Sequence, residues 1–142
     1  MSLERLGIED FRCIERAELE FDPRCNLISG QNASGKTSLL EAIFFLGRGR
    51  SFRTNRSDTL VRAETRQFTL TGRIDTSGVS QPIGMRVTSE GIEARFAGRA
   101  VSGLAELATR LPVQAIDPEV HRLVDGGPQE RRRYLDWGVF HV

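Results

Sequence analysis

Residues 27–43 read LISGQNASGKTSLLEAI. Within them Gly30, Gln31, Asn32, Ala33, Ser34, Gly35, Lys36 and Thr37 satisfy the pattern G-x-x-x-x-G-K-[ST] in full. The residues before the loop, CNLIS at 25–29, read as a short buried strand, and those after its last glycine, KTSLLEAIFFLG at 36–47, read as a helix. Gly30 and Gly35 admit backbone angles that other residues resist, so consecutive N–H groups can turn inward. Those donors and the positive end of the helix form a cradle for phosphate. Lys36 then reaches the β- and γ-phosphates, and the Thr37 hydroxyl is placed to ligate Mg²⁺. Residues 30–37 are therefore the expected nucleotide site, with ATP and Mg²⁺ as the expected cofactors.

The identity of the cation supports this. The chain holds 20 Lys and Arg residues, and Lys36 is the one lysine among them. A cage of backbone amides needs a compact charge on a flexible stem, whereas the planar fork of arginine is bulkier and prefers bidentate partners. The same count bears on the base. Guanine-specific sites of this class use an Asn-Lys-x-Asp element, and these 142 residues cannot supply the second lysine. Asp75-Thr76-Ser77-Gly78 matches a bare DxxG but falls in a turn, so adenine is the expected base.

Length and composition agree with an ordinary globular domain: 142 residues, 39% hydrophobic, 27% charged, formal net charge +1. No apolar run approaches the ~20 residues of a membrane span, and the start, MSLERLGIEDF, lacks a signal-peptide stretch. Cys13 and Cys25 have no metal-ligand spacing and read as free thiols, consistent with a cytoplasmic location.

Along the chain, 3–9 and 14–21 alternate apolar and polar residues and predict two strands, with a turn at Asp22-Pro23. Residues 67–75, 82–88 and 91–97 predict an antiparallel meander. The helix at 36–47 is apolar nearly all round, which predicts burial on every side, with Gly47 and Gly49 ending it. A surface helix is expected over 101–111, a buried strand over 112–116, a short helix opened by Asp117-Pro118 and a last helix opened by Gly127-Pro128. That last helix carries an apolar stripe with no obvious partner, so the chain is expected to be a fragment. The expected fold class is α/β: a P-loop NTPase lobe with a mixed sheet around the loop strand and an antiparallel β-meander.

ATP hydrolysis needs an acidic pair at the end of a second strand. The nearest candidate, VQAIDPE at 113–119, has Gln114 inside its apolar run and Pro118 between Asp117 and Glu119. Little or no hydrolysis is expected from these residues alone.

Two segments carry a family resemblance. FRCIERAELEFDPRCNLISGQNASGKTSLLEAIFFLGRGRSFRT (11–54) and DPEVHRLVDGGPQERRRYLDWGVF (117–140) resemble the amino-terminal part of the RecF recombination mediators, relatives of the SMC and ABC-type ATPases. The resemblance implies that 1–142 is the first lobe of an ABC/SMC-head-like domain, the second lobe and hydrolysis motifs lying beyond it. It also implies ATP-gated homodimerisation on DNA at single-strand/double-strand junctions or on single strands. The implied work is gap repair and recombinase loading in DNA replication, DNA damage repair and the SOS response, alongside other mediator proteins. Weak DNA-dependent ATPase activity is implied for the longer protein. By the same resemblance Arg12, in the FR pair, lies near the nucleotide, and Gln114 or Asp117 senses it. Another SMC/ABC-type head, or a nucleotide-holding module without catalysis, is the alternative.

The basic residues cluster. Arg48, Arg50, Arg53 and Arg56 sit in GRGRSFRTNR, a composition suited to a DNA phosphate backbone or, alternatively, to a solvated loop. Arg131, Arg132 and Arg133 fall on one helical turn and cannot share a face.

Overall fold

The alternating segments pair into one sheet. The computed structural model describes residues 1–116 and 127–140. Strands β1 (Ser2–Phe11) and β2 (Ile14–Glu20) form the first hairpin. Strands β3 (Phe68–Thr76), β4 (Val79–Thr88), β5 (Gly91–Phe96) and β6 (Arg99–Ala100) form the meander, and the spatial order is β2-β1-β3-β4-β5-β6. Helix α1 (Lys36–Arg48) lies between the two groups in sequence; α2 (Leu104–Arg110) and α3 (Pro128–Phe140) come after them. The expected α/β lobe is present. Every pairing in its described sheet is antiparallel.

The turns obey local chemistry. Between β3 and β4, Ser77 (φ 56°) and Gly78 (φ 85°) both take left-handed angles, as a two-residue hairpin turn of the primed type requires. The Asp75 carboxylate accepts the Gly78 amide at 2.8 Å. Ala97 and Gly98 repeat the same pair of angles between β5 and β6.

One face of the sheet is apolar and carries α1. Leu6 and Ile8 of β1, Leu70 and Ile74 of β3, and Ile83, Met85 and Val87 of β4 are buried beneath Leu39, Ala42, Phe45 and Leu46 of the helix. Phe11, Phe45 and Phe68 form the centre, with ring centroids 5.0 to 6.5 Å apart and tilted or edge-on geometry. Burial of α1 is one-sided: Leu40 is 49% exposed and Ile43 and Phe44 are half-buried, so the helix is not enclosed all round as its composition predicts.

The two glycines at the end of α1 do different things. Gly49 is the cap, left-handed at φ 63°, its amide donating to the Phe45 carbonyl. Gly47 stays inside the helix, where a Cβ would stand 2.5 Å from the Leu111 carbonyl oxygen and 2.7 Å from Val113 Cγ2. It is there to let the segment after α2 approach, not to stop the helix.

The two short predicted strands do not form. Residues 25–29 and 112–116 join no ladder among the described strands, and Leu27 and Ile116 are 91% and 83% exposed. A strand is a paired object, because its N–H and C=O groups need partners. Apolar composition by itself supplies none. The helix expected from Asp117-Pro118 lies outside the described residues. Pro128 does open α3, whose Leu135 and Val139 are 62% and 78% exposed. Among the described residues no helix is long and apolar enough to cross a membrane.

Glycine to alanine inside a helix ordinarily stabilises by about 0.5–1 kcal/mol. Gly47→Ala is predicted to do the opposite, destabilising by about 1–3 kcal/mol through overpacking against Leu111 and Val113. Urea unfolding monitored by circular dichroism reads the sign.

Candidate phosphate-binding site

The loop before α1 adopts the backbone its sequence allows. Gly30 (φ 155°), Ala33 (φ 63°) and Gly35 (φ 92°) all have positive φ. Ala33 is the costly one, since a Cβ disfavours the left-handed region, and such strain concentrates at functional sites. The Ser34 amide donates to the Gln31 carbonyl at 3.3 Å, and the Leu39 amide to Gly35 at 2.9 Å, which starts the helix. Gly35 as N-cap brings no side-chain acceptor, and the first turn of α1 holds no carboxylate. The leading N–H groups of a buried-faced helix are thus left to an outside anion.

A pocket of about 350 Å³ opens over this helix end, within the range of small-ligand sites. Asn32, Ala33, Ser34, Gly35, Lys36 and Thr37 line it, joined by Cys13, Ser38 and Arg53. Gly30 and Gln31 act from behind: their carbonyls accept the Lys36 ammonium at 2.8 and 2.6 Å. That fixes the ammonium beside the loop with a third N–H to spare. Cys13 arrives through the β1–β2 turn, and its Sγ is 3.5 Å from Ser38 Oγ. Nothing in the spacing of Cys13 relative to Lys36 announces this. Ser38 was not singled out in the sequence; its place directly after Thr37 in the same helical turn was the available signal.

Behind the pocket lies a group that belongs to no sequence motif. Glu41 of α1 is completely buried. Arg12 grips it from the β1–β2 turn, Nε donating to Oε2 at 3.0 Å and Nη2 to Oε1 at 2.9 Å. The remaining Arg12 nitrogen, Nη1, donates to the Thr59 carbonyl at 3.0 Å. Arg12 itself is left-handed (φ 54°), and its amide donates to the Leu60 carbonyl at 2.7 Å. So Arg12, expected beside the nucleotide, gives its guanidinium to Glu41 and Thr59, and its neighbour Cys13 reaches the pocket. A glutamate inside LLEAIFF was the available signal, because a charge in an apolar run must be paired if it is buried.

The four clustered arginines separate. Arg53 lines the phosphate pocket, with Nη1 3.6 Å from Glu41 Oε2. Arg56 pairs with Asp58 at 2.6 Å; that hydrogen bond holds the Asp58 carboxyl below the usual carboxylate range. Arg48 is half-buried with its guanidinium 5.8 Å from the Phe44 ring centroid. Burial first, and the charge of Arg50 second, lower its pKa from the ordinary arginine value. Arg50 is exposed beside it. Gln114 is exposed and not among the residues lining the pocket, and Asp117 lies outside the described residues.

The chain is similar to known proteins over nearly its whole length. A family model described as the RecF/RecN/SMC N terminal domain matches residues 2–119. The DNA replication and repair protein RecF of Psychromonas ingrahamii is 46% identical over 142 residues, covering 99% of this chain and 40% of that protein. The chain thus spans less than half the length of the curated relatives it matches. A solved structure of the recombination mediator protein RecF-ATP in the RecFOR pathway aligns with TM-score 0.87 at 31% identity, over 95% of this chain and 37% of that one. A structure from work on ATP-driven dimerization and DNA stimulated activation of SMC ATPases aligns with TM-score 0.73 at 20% identity, over 96% and 99% of the two chains, and shares the fold. With the family model matching from Ser2 to Glu119, the chain belongs to the RecF/RecN/SMC N-terminal domain family.

Proposed function

We propose that this chain is the ATP-binding first lobe of a RecF-type DNA replication and repair protein. The observation that carries the reading is the uncapped start of α1, with Lys36 and Arg53 lining one pocket with it. The loop amides and the helix end bind phosphate oxygens; Lys36 addresses the outer phosphates; Arg53 brings a second cation to the same pocket. The Thr37 hydroxyl, on the pocket wall, is the group that would hold Mg²⁺. Held there, Mg²⁺ would supply positive charge to offset that of the nucleotide phosphates. The residues described as lining the pocket include no carboxylate to polarise water. In this reading the 142 residues hold nucleotide. Hydrolysis, ATP-gated homodimerisation and loading of a recombinase at DNA gaps belong to the longer protein in this reading. The support is that the chain's curated relatives carry the name DNA replication and repair protein RecF.

The DNA contact in this reading is Arg50, with Arg48 beside it. Arg50 is exposed in the loop that follows α1, and a phosphate backbone attracts exposed cations without regard to sequence. Arg56 already has Asp58, and Arg53 is turned to the pocket.

Lys36→Met is expected to weaken binding of a fluorescent ATP analogue by more than about thirty-fold. The fold should survive, seen as a cooperative thermal transition without nucleotide. Equal affinities for the two proteins would refute the site. For the DNA surface, Arg50→Ala in the full-length protein is expected to lower the slope of log affinity against log salt by about 0.7–0.9. Arg56→Ala should change that slope less, because Asp58 already offsets its charge. Identical slopes for wild type and Arg50→Ala would return this loop to mere solvation.

A further inference from the structure

Ser51 sits in the middle of the arginine-rich loop, yet it has the most committed side chain there. Its hydroxyl donates to Glu41 Oε1 and accepts two amides, from Arg53 at 2.9 Å and Thr54 at 3.1 Å. A serine hydroxyl has one proton and two lone pairs, and all three are used. The turn 51–54 is thereby pinned to a carboxylate with no solvent access on α1, the helix that begins at Lys36. Arg12 anchors the same carboxylate with two further hydrogen bonds, one of them to the oxygen that Ser51 also meets. Glu41 therefore cannot drift, and whatever hangs from it is fixed relative to the phosphate loop.

Arg53 hangs from it, and loosely. Its guanidinium is 3.6 Å from Glu41 Oε2 and about half exposed. That separation gives attraction without a direct hydrogen bond, so the five N–H donors of the fork remain for a ligand in the pocket. The backbone of Arg53 is the ordered part, through Ser51. This is the arrangement expected of a cation held in place by its main chain and left free at its tip.

We propose that Ser51, hung on Glu41, is the positioning residue that holds Arg53 over the phosphate pocket. The proposal rests on the reading of that pocket as a nucleotide site and deepens it. Without the hydroxyl, the 51–54 turn loses its attachment to α1 and Arg53 becomes a mobile surface arginine. Its charge persists, and its preorganisation is lost. Ser51 touches no ligand in this scheme and acts through Arg53 alone.

A double-mutant cycle on nucleotide affinity of the full-length protein tests this, with a fluorescent ATP analogue as probe. Glu41 is a poor first choice, because its removal leaves the half-buried Arg12 without its counter-charge and opens a gap on the buried face of α1. Ser51→Ala removes one oxygen and keeps the core intact. Arg53→Ala should weaken binding about ten-fold or more, the scale of one charge-assisted hydrogen bond. Ser51→Ala should weaken it about three- to ten-fold, and the double variant should fall within about two-fold of Arg53→Ala. Serine acting through general stability would instead give losses that multiply. Multiplied losses, or unchanged affinity in Ser51→Ala while Arg53→Ala is weakened, would overturn the positioning role and leave the nucleotide site standing. Unchanged affinity in Arg53→Ala would overturn both this proposal and the place given to Arg53. Loss of the site itself shows separately, as an unaffected Lys36→Met.

Discussion

A carboxylate cut off from water has to find its counter-charge inside the protein, and Glu41 finds it in pieces of chain far apart in sequence. Arg12 comes from the β1–β2 turn, Ser51 and Arg53 from the loop after α1. The bond between Glu41 and Arg12 also ties the turn to the 3₁₀ segment Ser57–Leu60, because the third Arg12 nitrogen goes to Thr59. One acid thus gathers the β1–β2 turn and the loop after α1, both of which border the pocket. Its position on α1 matters. It lies on the buried face, just over one turn beyond Lys36, so the loops are referenced to the same rigid body that carries the phosphate cradle.

That arrangement explains how two opposing demands meet in one helix. The core demands apolar residues at Leu39, Ala42, Phe45 and Leu46, which pack on the sheet. The ligand demands an uncapped, positively polarised end. Helices of this sort usually relieve their first N–H groups with a capping serine or aspartate. Here the cap is Gly35, which offers nothing, and the cost is borne by the packing of the helix body. Residues 30–37 can keep their strained backbone because the sheet and Phe11, Phe45 and Phe68 hold α1 in place behind them.

The charge pattern obeys the same logic. Lysine stands where a compact charge enters a cage of amides, and arginine stands where a fork can grip a carboxylate or face open solvent. The chain's basic loop is not a uniform patch. Arg56 is neutralised locally, Arg48 lies on an aromatic ring, Arg53 turns inward and Arg50 turns outward. One basic segment of sequence thus becomes four side chains with different surroundings.

The loop 30–37, the helix after it and the hairpins of the meander were legible in the residues alone, because each depends on near neighbours. Gly-x-x-x-x-Gly-Lys-Thr needs only its own backbone angles, and Ser77-Gly78 needs only two positive φ values. The family assignment was legible for the same reason, since its motifs are contiguous. Tertiary structure decided the rest. Residues 25–29 and 112–116 look like strands but have no ladder to join, Gly47 answers to Leu111 rather than to its own helix, and Cys13 reaches the pocket by way of a hairpin. Above all, Glu41, Arg12, Ser51 and Arg53 meet only in space. Local backbone chemistry is written in adjacent residues, whereas the pairing of strands and buried charges depends on which distant groups the fold brings together.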